Sequence, residues 1–308
     1  MILSLFLLAA GLALLVVAGD FLVRGAVQAA ENFGISPLII GLTVVSAGTS
    51  LPELLVCVQA ALTGAPGLAI GNVVGSNIAN VLLVIGLPAL LHPIHSDGHG
   101  LRRNLTVLIA VTVVFMLMLA SGRIGRIEGL ALFVLLVAFV AWQVWTARRA
   151  RSNGAIEAPA HHDAKRTALF LTGGIVGLPV AAQLTVHGGI GVAEGFNVPD
   201  TVIGLTVIAA GTSLPELATT IVAAARRSSA VAVGNVVGSN IFNIMGIMGL
   251  TALVTPVPVD QHVISVDMWV MLAAAVAVAG LGFARIPAGR PIGIAMLAAY
   301  AVYVFTLV

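Results

Sequence analysis

The residue types best suited to chemistry stand in two strings that each occur twice. GTSLPE fills Gly48–Glu53 and again Gly211–Glu216, and GSNIxN fills Gly75–Asn80 and again Gly238–Asn243. In the first string Pro52 has no N–H to donate and its ring crowds the carbonyl of Gly48, so a helix passing through it kinks or breaks. Gly48 and Gly211 ease the break, which frees carbonyls around residues 46–49 and 209–212. Thr49 and Ser50 stand i,i+4 and i,i+3 to Glu53, as Thr212 and Ser213 do to Glu216, so hydroxyl and carboxylate oxygens converge on one helix face. In the second string Ser76 and Asn80 share a face, as do Ser239 and Asn243, and the glycines at 71 and 75 and at 234 and 238 are spaced for close helix approach. The whole set is oxygen, with no Cys or His in it. Calcium takes about 6–8 oxygen ligands at about 2.3–2.6 Å, whereas zinc and copper sites recruit Cys or His, so the chemistry indicated is binding of a hard cation.

The elements that must position these residues are membrane helices. Of 308 residues 59% are apolar and only 8% charged, with a mean hydropathy of +1.12. A soluble domain carries about 25% charged residues, so the chain is read as an all-α polytopic membrane protein. The net charge of +2 and pI near 9.2 therefore report topology, not nucleic-acid binding. A charged group at the centre of a membrane helix costs about 2.5–3.5 kcal/mol on insertion scales, and Glu53 and Glu216 carry that cost at matching places. Two ionised glutamates are balanced by one Ca²⁺ or by two monovalent cations. A loaded site then crosses a low-dielectric barrier more readily than an empty one, which is a physical basis for obligatory exchange.

A crossing needs about 20 apolar residues. Apolar segments fall at 3–30, 37–62, 68–91, 103–121, 127–147, 167–193, 200–224, 230–255, 262–284 and 290–308, which predicts ten transmembrane helices. The one long polar stretch, 148–166, divides a first five-helix unit (1–147) from a second (167–308). The two units are copies: residues 38–86 align with 201–249 at an offset of 163, with 26 of 49 positions identical and no gap. Five spans is an odd number, so the second copy enters the membrane the other way round. Inverted repeats are the architecture of secondary transporters, with the site near the midplane between the copies. Twelve of the fourteen Lys and Arg residues fall in connections after odd-numbered spans, and only Arg123 and Arg126 lie opposite. That split puts the odd connections in the cytoplasm and both termini outside. The apolar N-terminus lacks a basic leader and is read as a first span of an inner-membrane protein.

The paired GTSLPE and GSNIxN blocks resemble the two α-repeats of the calcium/cation antiporter superfamily, specifically the prokaryotic sodium/calcium exchanger branch. The resemblance implies Ca²⁺ exchanged against Na⁺ by alternating access, with Glu53 and Glu216 as the main calcium ligands, helped by the carbonyls of Thr49 and Thr212. It implies sodium sites built from the carbonyls of Ser46 and Ala209, the side chains of Thr49, Ser50, Thr212 and Ser213, and the hydroxyls of Ser76 and Ser239. Asn80 and Asn243 line the centre, and the first and sixth spans slide across the rest of the bundle. Some relatives carry an aspartate at the place of Asn80 or Asn243; with amides at both, potassium-independent exchange is expected. The partners implied are Ca²⁺, Na⁺ or H⁺, and lipid, with no cofactor, and one chain suffices as a monomer.

Other readings compete for the same residues. An intramembrane hydrolase with Ser50 or Ser213 as nucleophile lacks a base nearby in sequence. A cation channel differs in needing no counter-ion, and a calcium/proton exchanger uses the same glutamates as proton carriers. Cys57 lies in an apolar run and is assigned to packing, Asp20 and Arg24 to an interfacial ion pair, and His187 to a satisfied interfacial position. His92, His95 and His99 are assigned to a solvated loop, and the basic 148–166 stretch to topology and anionic lipid.

Overall fold

The computed structural model describes residues 1–95, 100–152, 162–196 and 211–307. The first half runs α1 (Ile2–Phe33), then α2 (Pro37–Ile40), a π-helical turn (Gly41–Val45), α3 (Ser46–Thr49) and α4 (Leu51–Leu62). It continues with α5 (Pro66–Leu82), α6 (Gly86–Leu91), α7 (Leu101–Leu119), the two-residue strand β1 (Arg123–Ile124) and α8 (Arg126–Ser152). The second half holds α9 (Ala164–Gly195), α10 (Leu214–Ala225) and α11 (Ser229–Phe242), which passes through a π-helical stretch (Asn243–Met248) into α12 (Gly249–Val254). Strand β2 (Val257–Pro258), a π-helical turn (Val263–Asp267), α13 (Met268–Ala284) and α14 (Arg290–Phe305) complete the chain.

The duplication is visible in the backbone. Helices α4 and α10, α5 and α11, and α6 and α12 begin 163 residues apart. Ser50 (φ −84°, ψ 5°) and Ser213 (φ −88°, ψ 4°) adopt the same non-helical conformation just before the proline. The break expected at Pro52 is a bend of 44° between Pro37–Thr49 and Leu51–Leu62. Proline sits in the first turn of α4, where its missing N–H costs no bond.

Among the described residues seven helices are long and apolar enough to cross a membrane, or eight if the bent pair is one span. This is fewer than the ten expected from hydropathy. Helix α14 has 16 residues and reaches about 24 Å at 1.5 Å per residue, short of a hydrocarbon core of about 30 Å. Helix α10 has 12, and the first part of its apolar segment lies outside the described residues.

The repeat cores form the centre. The apolar windows of α5 with α6 and of α11 with α12 are 78% and 83% buried, against 22% for α1 and 28% for α8. Helix α1 instead lies along α9, and glycines make the contact. A Cβ on Gly174 would stand 2.5 Å from the Leu22 Cβ, one on Gly188 2.3 Å from the Leu8 nitrogen, and one on Gly11 2.5 Å from Thr185. Small residues let the two backbones close without side chains between them.

The connections sort into two ends, as the basic residues divide them. At one end Asp20 bonds Arg24 and also Arg226 from the end of α10, Glu31 meets His162, Ile94 bridges to Ala288, and Arg102 donates to the Phe283 carbonyl at 2.9 Å. At the other, β1 pairs antiparallel with β2, Arg123 opposite Pro258. The Asp20–Arg24 pair expected from spacing is present at 2.8 Å, and the third partner, Arg226, joins it across helices. Cys57 is buried against Ala69 and Asn72, and His187 bonds the Gln183 carbonyl of its own helix at 2.8 Å, both as expected. His99 and much of the basic stretch lie outside the described residues.

Candidate cation-binding site

The non-helical residues Ser50 and Ser213 start α4 and α10 and place Glu53 and Glu216 in their first turns. Both side chains are fully buried, and Ser50, three residues before Glu53, reaches the Glu216 carboxylate. Across from them run α5, which presents Ser76 and Asn80, and α11, which presents Ser239 and leads into the π-helical stretch at Asn243, all buried.

The bonds between these elements mostly cross from one repeat to the other. Ser50 Oγ donates to Glu216 Oε1 at 3.1 Å, and Ser239 Oγ reaches the same oxygen at 3.5 Å. Thr49 Oγ1 lies 3.4 Å from Ser239 Oγ, 3.2 Å from Asn235 Oδ1 and 3.3 Å from the Ser46 carbonyl. Asn243 Nδ2 donates to Ser76 Oγ at 2.9 Å, and Asn240 Nδ2 donates to the Asn77 carbonyl at 3.2 Å. The expected residues are therefore largely gathered. Ser213 is buried and Thr212 half-buried beside Glu216 in sequence, whereas Ala209 lies outside the described residues.

The Ser46 carbonyl already accepts from the Ser50 N–H at 3.0 Å, and its second lone pair remains available to Thr49 or a ligand. Ser46 Oγ rests where a Cβ on Gly238 would come within 2.6 Å, so the close approach read from the glycine spacing is realised at Gly234 and Gly238. Gly71 and Gly75 meet no described atom within 4 Å; their repeat-equivalent neighbours, 201–209, lie outside the described residues.

Several buried oxygens here have no hydrogen-bond partner among the described residues: both of Glu53, Oε2 of Glu216, Oγ of Ser213, Oγ1 of Thr219 and the amide oxygens of Asn80 and Asn243. An unpaired buried polar group costs about 1–3 kcal/mol, and oxygen donors collected around two carboxylates match the preference of a hard cation. Sequence reasoning missed Thr219, Asn77, Asn240 and Asn235. Thr219 follows Glu216 by three residues, and Asn235, Ser239 and Asn243 are spaced four apart, so helical periodicity alone could have placed them on the same faces.

The model of the family described as sodium/calcium exchanger protein matches residues 3–145 and again 166–308, once for each half. The chain belongs to this family. The exchanger is 40% identical to the inner membrane protein YrbG of Escherichia coli, over all of this chain and 97% of that one. It is 38% identical to the putative antiporter CaxA of Alkalimonas amylolytica, over 87% and 86% of the two chains. It is 31% identical to the sodium/calcium exchanger MaX1 of Methanosarcina acetivorans, over 88% of each. Among solved structures, the sodium-calcium exchanger NCX_Mj soaked with 2.5 mM Na⁺ and 0.1 mM Ca²⁺ superimposes with a TM-score of 0.87 at 32% identity, covering 100% of this chain and 99% of that one. The form soaked with zero Na⁺ and Ca²⁺ matches with the same score. The family is one of transporters, not of enzymes, which removes the hydrolase reading.

Proposed function

We propose that this exchanger moves Ca²⁺ against Na⁺ by alternating access, with Glu53 and Glu216 as the paired anionic ligands. The observation that carries this is the burial of one glutamate from each repeat, amid oxygens that no donor among the described residues satisfies. Thr49, Thr212, Ser50, Ser213, Ser46, Ala209, Ser76, Ser239, Asn80 and Asn243 supply the surrounding carbonyl, hydroxyl and amide oxygens. The relatives named antiporter and exchanger support the same reading. Both carboxylates come from one chain, so a monomer holds a complete site.

The moving part is the α1–α9 pair. Its two helices are held to each other by the glycine-lined seam, and the pair lies against α10, which carries Glu216. Helix α1 packs along α10, whereas the repeat-equivalent pair, α9 and α4, makes no comparable contact among the described residues. One end of the path to the site is thereby covered, at the end where Arg226 meets Asp20. That end carries twelve of the fourteen basic residues in the full sequence, so it is cytoplasmic, both termini are outside, and the conformation is outward-facing. Counting the bent pair as one span and α10 and α14 as parts of two more gives ten crossings in two inverted units, 1–147 and 167–308, joined by a cytoplasmic linker.

Proteoliposomes loaded with Na⁺ and diluted into Na⁺-free medium containing Ca²⁺ test the coupling. Uptake driven by the sodium gradient supports the proposal. Uptake driven only by an imposed pH gradient assigns the glutamates to proton carriage, and uptake with no counter-ion gradient makes the protein a channel.

A further inference from the structure

Asn235 is completely buried on α11, four residues before Ser239, and contacts three groups. Its Nδ2 lies 3.3 Å from the Glu216 carbonyl and 3.1 Å from Thr220 Oγ1, and its Oδ1 lies 3.2 Å from Thr49 Oγ1. A backbone carbonyl can only accept, so the amide nitrogen must face Glu216 and the amide oxygen must face Thr49. That orientation obliges Thr49 to donate, and a threonine hydroxyl has a single proton. Two acceptors compete for that proton, the Asn235 amide oxygen at 3.2 Å and the Ser46 carbonyl at 3.3 Å; an ion that takes the Ser46 carbonyl leaves Asn235 to hold it, and the lone pairs of Thr49 Oγ1 then face the Ser239 hydroxyl at 3.4 Å and the ion.

From this geometry, and resting on the cation-exchange reading above, we propose that Asn235 is a positioning residue that turns the Thr49 hydroxyl into a cation ligand. It need not touch the ion. It pins the hydroxyl rotor across the repeat boundary, from α11 of the second copy to Thr49 of the first, while its N–H bonds tie the same amide to the backbone of Glu216. Without it, an ion on the Ser46 carbonyl leaves the Thr49 proton with no acceptor but the site itself, where it repels a cation. Outer partners of this kind are worth about tenfold or more in metal affinity when removed.

The test is a double-mutant cycle in proteoliposomes using Thr49→Val, Asn235→Ala and the pair, with the KM for Na⁺ and the Vmax of sodium-driven Ca²⁺ uptake measured separately. Asn235→Ala is expected to raise KM about tenfold, and in the Thr49→Val background the same change is expected to have little further effect. Additive shifts in the cycle, or a fall in Vmax at unchanged KM, would show Asn235 to be ordinary packing and overturn the proposal. Should Asn235→Ala fail to insert, Thr220→Val removes one of the two acceptors that orient the amide. It is expected to raise KM about two- to threefold, and an unchanged KM overturns the proposal equally. Absence of sodium-driven uptake in the unmodified protein would instead defeat the exchange reading itself.

Discussion

Ser50, from the first repeat, donates its hydroxyl to Glu216, from the second, at 3.1 Å, but the matching pair is not made: Ser213 Oγ and both oxygens of Glu53 have no partner among the described residues. Two identical six-residue strings thus sit in different states within one molecule. The difference accompanies the packing of α1, which lies along α10, while α9 makes no comparable contact with α4 among the described residues. In a transporter built of inverted repeats, such an inequality is what distinguishes one facing state from the other.

The inequality predicts unequal mutants. A hydrogen bond to an ionised group contributes about 1.5–3 kcal/mol, so Ser50→Ala is expected to raise the KM for extracellular Ca²⁺ about tenfold or more. Ser213→Ala is expected to shift it less. Uptake measured over a range of external Ca²⁺ separates the two, and equal shifts contradict the asymmetry.

Asp20 on α1 holds Arg24 and also Arg226 at the end of α10, whereas the repeat counterparts of Asp20 and Arg226 are Gln183 and Thr63, which cannot form an ion pair. The latch therefore exists at one end only. Its members are partly exposed, so its contribution is at most about 1 kcal/mol, or about a fivefold bias toward the state in which that end is closed. Asp20→Asn is expected to raise the apparent Ca²⁺ affinity from the cytoplasmic face relative to the extracellular face by up to that factor. Flux measured in right-side-out and inside-out vesicles checks it, and an unchanged ratio contradicts it.

Asn80 and Asn243 are buried amides, so no third carboxylate joins Glu53 and Glu216 from these positions. Exchange is accordingly expected to run without potassium. Sodium-driven Ca²⁺ uptake compared in choline and in potassium media measures this directly, and a requirement for potassium contradicts it.

Much of the candidate site's layout is legible in the sequence. The 163-residue offset and the proline break follow from residue types and spacing, and the structure shows helices starting 163 residues apart, a 44° bend, and both glutamates buried. The inequality between the halves was not legible, because GTSLPE is the same string in both; only the neighbours differ. Asp267, bonded by Tyr303 at 3.0 Å, and Asn104, bonded by Gln143 at 2.9 Å, join different helices, and no local period announces such partners. Hydropathy overstated the clarity of the crossings, because α14 is apolar but short. The role of Asn235 depends on which of its atoms faces a carbonyl, and that is geometry a sequence does not contain.

The central claim is that one glutamate from each repeat makes a single calcium site. Glu53→Gln and Glu216→Gln keep the shape of each side chain and remove its charge. Each protein, purified and reconstituted, is to be assayed for Ca²⁺ uptake driven by an outward sodium gradient beside the unmodified exchanger. Loss of uptake in both variants, with the proteins folded and inserted, is the predicted result; full sodium-driven uptake in either one would contradict the account.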